Sequence, residues 1–174
     1  MRGFFPGRFQ PFHDGHFAFV KHVIQSVDEL VVGVGSAQAS HTAENPFTAG
    51  ERISMIHATL DPLETTTYVI PIEDIDRYAL WTAHVTALCP PFERVYTNNP
   101  LVRRVCREAG LTVGDVRLFD RDRYRGTLIR ERMRAGDQWR DLVPESVEAV
   151  IEEIDGISRL QAVAEDDISE SPGP

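Results

Sequence analysis

The sequence predicts an α/β domain: a Rossmann-like, three-layer arrangement with a parallel sheet in the middle and helices on both faces. Three observations predict it. Short apolar runs alternate with helical patterns along most of the 174 residues. The clearest run, Leu30-Val-Val-Gly-Val-Gly35, has no polar alternate, as suits a strand buried on both faces. Helix start and stop signals punctuate the intervals. Alternation of this kind builds parallel sheets with right-handed crossovers, and ligands sit at the carboxyl ends of the strands.

The elements follow in order. Gly3-Phe4-Phe5 reads as a first strand, and Gly7 to His13 as a loop. From Asp14, Phe17, Val20, Val23, Ile24 and Val27 recur at helical spacing. After the Leu30–Gly35 strand, Thr48-Ala-Gly-Glu51 has capping-box spacing and opens a helix with Ile53, Ile56 and Leu60 on one face. Thr67 to Ile70 is a third strand. Tyr78 to Leu88 is a helix stopped by Pro90-Pro91. Arg94 to Thr97 is the next strand, and Pro100 to Ala109 a helix closed by Gly110. Val116 to Phe119 reads as a fifth strand, followed by a helix from Gly126 or Thr127 to about Arg134. Pro144 suits the start of a last helix closed by Gly156. The domain is expected to span 1–164, with the acidic tail 165–174 disordered. The loops after Phe5, Gly35, Ile70, Thr97 and Phe119 are then expected to share one rim.

Composition narrows the function classes. A 42% apolar chain of this length holds one core, and no apolar run is long enough to span a membrane. The opening residues turn to glycine and charge too early for a secretory signal. The two cysteines, Cys89 and Cys106, lack the spacing of a disulfide framework or a zinc site, and a reducing cytoplasm is the expected compartment. A net charge of −9 argues against nucleic acid as a partner. Lys21 is the only lysine, and acids are abundant. That balance resembles proteins that work in molar salt.

Two segments carry chemistry. Gly7-Arg-Phe-Gln-Pro-Phe-His13-Asp-Gly-His16 follows a strand and opens a helix. Helix N-termini present free N–H groups and a partial positive charge to phosphate. Two imidazoles there can each donate an N–H to phosphoryl oxygens. Gly15 lets the chain approach a phosphate closely, and Arg8 adds a planar cation. The second segment, Arg121-Asp-Arg-Tyr-Arg-Gly-Thr127-Leu-Ile-Arg130-Glu-Arg-Met133, also opens a helix. It belongs to a stretch with six arginines between 121 and 134. Such a patch on an acidic protein attracts a polyphosphate. Together the segments predict a nucleoside triphosphate cradled between two helix N-termini. No P-loop is present, and Gly33-Val-Gly35 reads as a sharp strand-end turn rather than a dinucleotide fingerprint. No activated nucleophile stands out. An acceptor that is itself a phosphate needs no general base, so the residues suit direct in-line nucleotidyl transfer.

The Gly7–His16 and Gly126–Met133 segments resemble the HxGH nucleotidylyltransferase superfamily. Within it the chain resembles the archaeal type of nicotinamide-nucleotide adenylyltransferase. Further likeness lies in Gly35–His41, Glu44–Arg52, Pro90–Tyr96, Asn99–Val102, Leu142–Ser146 and Glu153–Ile157, so it reaches to about Leu160. The resemblance implies transfer of AMP from ATP to nicotinamide mononucleotide, giving NAD and pyrophosphate in NAD biosynthesis. It implies Mg²⁺ entering with ATP, no metal held by the protein alone, and a homo-oligomer.

The resemblance also implies roles. His13, His16, Arg8 and Arg130 would be catalytic, with His16 nearest the transition state. Thr127 and Arg130 would hold the β- and γ-phosphates. Gly7, Phe9, Gln10 and Gly15 would join them around ATP from the first segment, and Tyr124, Gly126 and Ile129 from the second. For the nicotinamide nucleotide, Trp81 would stack on the ring and Phe47 would help enclose it. Ser36 and Ala37 would line the site with their backbone, alongside Phe9, Asn45 and Asn99. The chain departs from the family at Arg125, where serine is usual, at Leu128, at Thr97-Asn98, and at Tyr78, where asparagine is common. The rival readings are another HxGH transferase, acting on phosphopantetheine, FMN or glycerol phosphate, and a non-catalytic sensor of ATP or NAD.

Overall fold

The structure is a computed structural model that describes residues 1–115 and 123–169, with backbone alone for 165–169. Five strands form one parallel sheet: β1 (Arg2–Gly7), β2 (Glu29–Val34), β3 (Thr66–Pro71), β4 (Arg94–Val95) and β5 (Thr112–Val113), in the order β3-β2-β1-β4-β5. The order reverses between β1 and β4, and that switch point is where such sheets bind ligands.

The alternation of side chains along each strand feeds two cores. Phe5, Val32 and Val34 face a cluster with Phe19 and Val20 of α1 (Asp14–Val23) and Met55 of α2 (Ala49–Leu60). Ile129 and Met133 of α5 (Gly126–Ala135) and Val147 and Ile151 of α6 (Glu145–Glu153) complete that face. Phe4 and Val31 face the other way, against Val85 of α3 (Tyr78–Leu88) and Cys106 of α4 (Pro100–Glu108). Both faces are therefore covered, as the unbroken apolar strands predicted.

Local chemistry sets the boundaries. Thr48 and Glu51 form the predicted capping box, with the Glu51 N–H donating to Thr48 Oγ1 at 3.2 Å and the Thr48 N–H to Glu51 Oε2 at 2.8 Å. Gly110 closes α4 at φ +77°, and Gly136 closes α5 at φ +74°. Gly33 lies inside β2 rather than in a turn, because a Cβ there would meet Phe4 at 2.7 Å and Ile72 at 2.8 Å. The left-handed residue at that strand end is Ser36, at φ +49°.

The C-terminal region differs most from expectation. Gly156 does not close a last helix. The chain turns through Asp155 at φ +50°, and Gly156 opens α7 (Gly156–Ser169). A Cβ on Gly156 would lie 2.9 Å from the Phe47 ring, so close packing explains the glycine. The helix continues past Ala164 into the segment expected to be disordered, and residues 170–174 lie outside the described chain. From α7, Arg159 reaches Glu51 at 2.7 Å and so braces the start of α2. The fifth strand expected at Val116–Phe119 also lies outside the described residues, and β5 forms earlier, at Thr112–Val113. Among the described residues no helix is long and apolar enough to cross a membrane.

Candidate active site

The loops after β1, β2, β3 and β4 converge on one cleft of about 810 Å³. Gly7, Arg8, His13 and His16 line it from the first loop, and Ser36 from the second. Asp74, Ile75 and Asp76 follow β3, Tyr78 and Trp81 belong to α3, and Thr97 to Asn99 follow β4. Tyr124 and Arg125 arrive from the segment before α5. The common rim predicted from strand–helix alternation is thus present for the loops after β1 to β4 and for the segment before α5.

At its centre the two histidines cap their own helix. His13 is the N-cap of α1, and its Nδ1 accepts the His16 N–H at 3.2 Å. His16 Nδ1 accepts the His13 N–H at 3.3 Å. The rings stack at 3.5 Å between centroids, 15° from parallel. With both Nδ1 atoms accepting, the ring proton of each neutral imidazole belongs on Nε2, which makes both rings donors. Burial pushes His13 down to about 4. Burial, with His13 as a second cause, pushes His16 well below the usual histidine range. Both are neutral at pH 7 and still able to donate.

Beneath them lies a residue that motif reading passed over. Arg52 is fully buried on α2 and forms no ion pair among the described residues, although Asp74 and Glu51 lie near enough to favour its charge. It donates to Thr48 O at 3.2 Å, to Arg8 O and Gly35 O at 2.8 Å each, and to Ser36 O at 3.0 Å. One guanidinium therefore ties the loops after β1 and β2 to the start of α2. Burial and the charge of Arg8 lower its pKa to about 10, so it remains a cation. Its sequence hint was the Glu51-Arg52 pair at a helix start, which nothing separates from an ordinary surface pair.

Arg130 is also buried, and donates to Gln10 O at 2.8 Å and Ala43 O at 3.2 Å. It supports the first loop from below, and its Nη2 makes no hydrogen bond among the described residues. Arg8 is exposed on the cleft wall, with no side-chain bond or ion pair among the described residues. Arg8, Arg52 and Arg130 are close enough for Arg8 to lower the pKa of the other two. Three arginines thus gather at and beneath this end of the cleft, with Asp74 and Glu51 acting on Arg52, and Glu44 and Glu131 on Arg130, in the opposite sense.

Several of the residues expected around the ligand also build the wall of the cleft. Phe9 is buried at φ +52°, with its ring under Gly7, where a Cβ would lie 2.7 Å away. Gln10 pairs through its side-chain amide with the Phe47 backbone, donating at 2.8 Å and accepting at 3.0 Å. Phe47 and Ile129 are core residues with no exposed surface. The Ala37 N–H is taken by Ile72 O at 3.0 Å. Asn45 lies away from the cleft lining, with its Oδ1 buried and unpaired. Gly126 packs against Gln10 O, where a Cβ would stand 3.2 Å away. Thr127 is exposed in the first turn of α5, and Arg125, just before that helix, lines the cleft. Gly15 makes room for Tyr124, whose Cβ would lie 2.7 Å from an added methyl, so the approach to α5 seats on the first turn of α1. Asp74 and Asp76 were not anticipated at all.

A sequence profile described as cytidylyltransferase-like matches residues 4–132. The nicotinamide-nucleotide adenylyltransferase of Haloarcula marismortui is 54% identical over 96% of this chain and 89% of its own length. The proteins of that name from Archaeoglobus fulgidus and Methanosarcina barkeri are each 52% identical, covering 94% and 98% of this chain and 98% of their own lengths. Among solved structures, a bifunctional NMN adenylyltransferase/ADP ribose pyrophosphatase of Francisella tularensis, complexed with AMP and a manganese ion, superposes with a TM-score of 0.77. It is 18% identical and covers 97% of this chain, which spans 54% of that longer one. At that identity the likeness is one of fold.

Two outcomes follow from the geometry. Arg52→Lys keeps the charge but not the planar fork, and its loss of carbonyl bonds is expected to cost about 2–3 kcal/mol in urea unfolding. A variant within about 0.5 kcal/mol of the parent would show that Arg52 does not hold the loops together. The second concerns acid. Below pH 6.5 the unfolded chain takes up protons that the native imidazoles refuse, so stability falls as pH drops from 6.5 towards 4. The slope is at most about 1.4 kcal/mol per pH unit for each group. Unfolding measured at pH 7 and 5.5 should show His13→Asn less acid-sensitive than the parent; equal sensitivity sinks the assignment.

Proposed function

The chain belongs to the cytidylyltransferase-like family and, within it, to the archaeal nicotinamide-nucleotide adenylyltransferases, and from that premise we propose how its residues divide the work. The enzyme transfers AMP from ATP to nicotinamide mononucleotide, releasing pyrophosphate and forming NAD. The observation that carries the residue assignment is the locked histidine pair beside Arg8. Two neutral donors and the Arg8 guanidinium, which forms no ion pair among the described residues, face the same cleft at the N-terminus of α1.

On this reading the triphosphate lies across His13, His16 and Arg8, with Arg130 Nη2 and Arg125 at the β- and γ-phosphates. A phosphate oxygen of the acceptor attacks the α-phosphorus in line. The bond from that phosphorus to the bridging oxygen breaks, and pyrophosphate carries the electron pair away. The acceptor oxygen is already an anion, so no protein base is required. The Nε2–H groups strengthen their bonds as charge grows on the phosphoryl oxygens, and that difference lowers the barrier. Mg²⁺ enters with ATP as part of the substrate; among the described residues no group of three side chains could hold it alone. Trp81 is half-buried and seated against Phe4 at 6.4 Å, so its ring is fixed where a pyridinium can stack. Asn99 spends Oδ1 on the N–H groups of Leu101 and Val102, which leaves its amide nitrogen for the ligand. Two free, buried cysteines suit a reducing cytoplasm.

The experiment is an assay of ATP, Mg²⁺ and nicotinamide mononucleotide in high KCl, following NAD and pyrophosphate together. FMN and phosphopantetheine serve as alternative acceptors. His16→Ala is expected to lower kcat by about 10²–10³ while ATP affinity changes far less. Equal losses in both would favour a sensor, and product from another acceptor alone would replace the substrate.

The chain also forms a homo-oligomer on this reading. Helix α3 carries no charged residue and exposes Tyr78, Leu80 and Leu88, with Leu101 of α4 exposed too. Light scattering should give a multiple of 19.6 kDa that falls in Leu80→Glu; a monomeric parent at micromolar concentration excludes it.

A further inference from the structure

The sheet does not carry its two halves equally far toward the cleft. β1 and β2 pair from Arg2 and Glu29 up to Gly7 and Val34, so their ladder reaches the loops that line it. β4 and β5 pair only at Arg94 with Thr112 and at Val95 with Val113. Beyond that, the Tyr96 N–H donates to Phe4 O at 2.8 Å and the Gly114 N–H to Val95 O at 2.9 Å. Thr97, Asn98 and Asn99 line the cleft past the end of this shorter ladder. Buried backbone groups that have left a ladder need other partners to hold them.

We propose that Arg103 is the positioning residue for this half of the site, acting through the loops after β4 and β5 rather than by contact with substrate. The inference rests on the reaction assigned above. Arg103 lies one turn into α4, is half-buried and forms no ion pair among the described residues. Its Nη1 donates to Thr97 O at 3.1 Å and to Gly114 O at 3.4 Å. One nitrogen therefore ties the turn after β4 to the end of β5. Thr97 Oγ1 accepts the Asn99 N–H at 3.2 Å, and Asn99 Oδ1 accepts the N–H groups of Leu101 and Val102. That turn is closed on itself, so the place of Thr97 O sets where Asn98 and Asn99 meet the cleft. Gly114 begins the connection from β5 to the segment before α5, where Tyr124 and Arg125 line the cleft too.

Two features give the role a distinctive signature. Arg52 spreads Nε, Nη1 and Nη2 over its carbonyls, whereas Arg103 serves both of its carbonyls from one nitrogen. A single ammonium can do the second task and not the first. The histidine pair is locked by bonds within its own turn, and Arg8 O is held by Arg52, so neither depends on Arg103. Loss of Arg103 thus loosens groups that bind substrate and leaves the donors of the chemical step where they are. Such a change raises KM and spares kcat.

The test measures kcat and KM for ATP and nicotinamide mononucleotide in the parent, Arg103→Met, Arg103→Gln and Arg103→Lys, well below each variant's unfolding temperature. The product of the two KM values is expected to rise about tenfold in Arg103→Met and Arg103→Gln, with kcat within about threefold of the parent. Arg103→Lys is expected to bring that product back to within about threefold of the parent. The glutamine amide ends two bonds short of Nη1, and it decides the matter if the methionine variant does not fold. A product within about twofold of the parent in both, a kcat that falls as far as KM rises, or a lysine variant as impaired as the methionine one overturns the inference. So does a failure of both to fold, which would make Arg103 a residue of stability alone. No dinucleotide from the parent would remove the reaction assignment; ATP dissociation constants from calorimetry then make the same comparison, with the same tenfold loss and lysine recovery expected.

Discussion

A buried guanidinium that forms no ion pair among the described residues is the constraint on which the rest of this structure depends. Burying an unpaired charge costs several kcal/mol unless polar groups replace water around it. Arg52 meets that demand with four backbone carbonyl bonds, and the carbonyls come from the segments that must be placed for function. Arg8 is fixed just before the left-handed Phe9, and Ser36 is itself left-handed. Such conformations persist when their surroundings over-determine them. The same arrangement leaves the positive charge offset only at a distance, by Asp74 and Glu51. Carbonyl dipoles solvate a cation but do not neutralise it, so Arg52 keeps more of its attraction for anions than a salt bridge would have left it.

The histidine pair follows a related logic at the helix start. An N-terminal turn must satisfy its orphan N–H groups, and the usual solution is a hydroxyl and a carboxylate. Thr48 and Glu51 use that solution on α2. On α1 the same reciprocal geometry is made by two imidazoles. A carboxylate there would repel phosphate. An imidazole accepts the backbone N–H on one nitrogen and turns a donor outward on the other. Capping and the proposed donor role are then one act: the bonds that start the helix also choose the tautomer, and burial keeps the rings neutral.

Much of this was legible in the sequence, and what was not has physical reasons. The α3 boundaries, the Thr48 capping box and the Gly110 stop depend on neighbours within a few residues, and they were readable. The sharing of one rim followed from strand–helix alternation alone. Arg52 was invisible because its partners are backbone carbonyls of residues 16 and 44 positions away, and carbonyls leave no mark in a sequence. Phe9, Gln10 and Phe47 sit inside its motifs, and the structure adds that they are buried in the frame of the cleft. Helix α7 was missed because Gly156 resembles a stop; only its closeness to the Phe47 ring shows why glycine stands at a start. Asp74 and Asp76 looked like two of many surface acids until the fold brought them to the cleft.

Two cations, Arg52 and Arg130, are sorted into the interior among the described residues, and arginine is the residue that permits it. The surface is strongly acidic, with one lysine in the chain. Lysine is a strongly hydrated point charge, and its three donors do not lie in one plane. It could not bridge Arg8 O, Gly35 O and Ser36 O as the Arg52 fork does. The sorting also sets how each charge responds to salt. At molar ionic strength the Debye length is about 3 Å, so the exposed acids are screened from one another. A guanidinium under the loops, wrapped in carbonyl oxygens, is screened far less. The phosphate-binding potential therefore persists in conditions that would blunt a surface patch of lysines, and an acidic exterior and buried arginines beneath the cleft can coexist in one small domain.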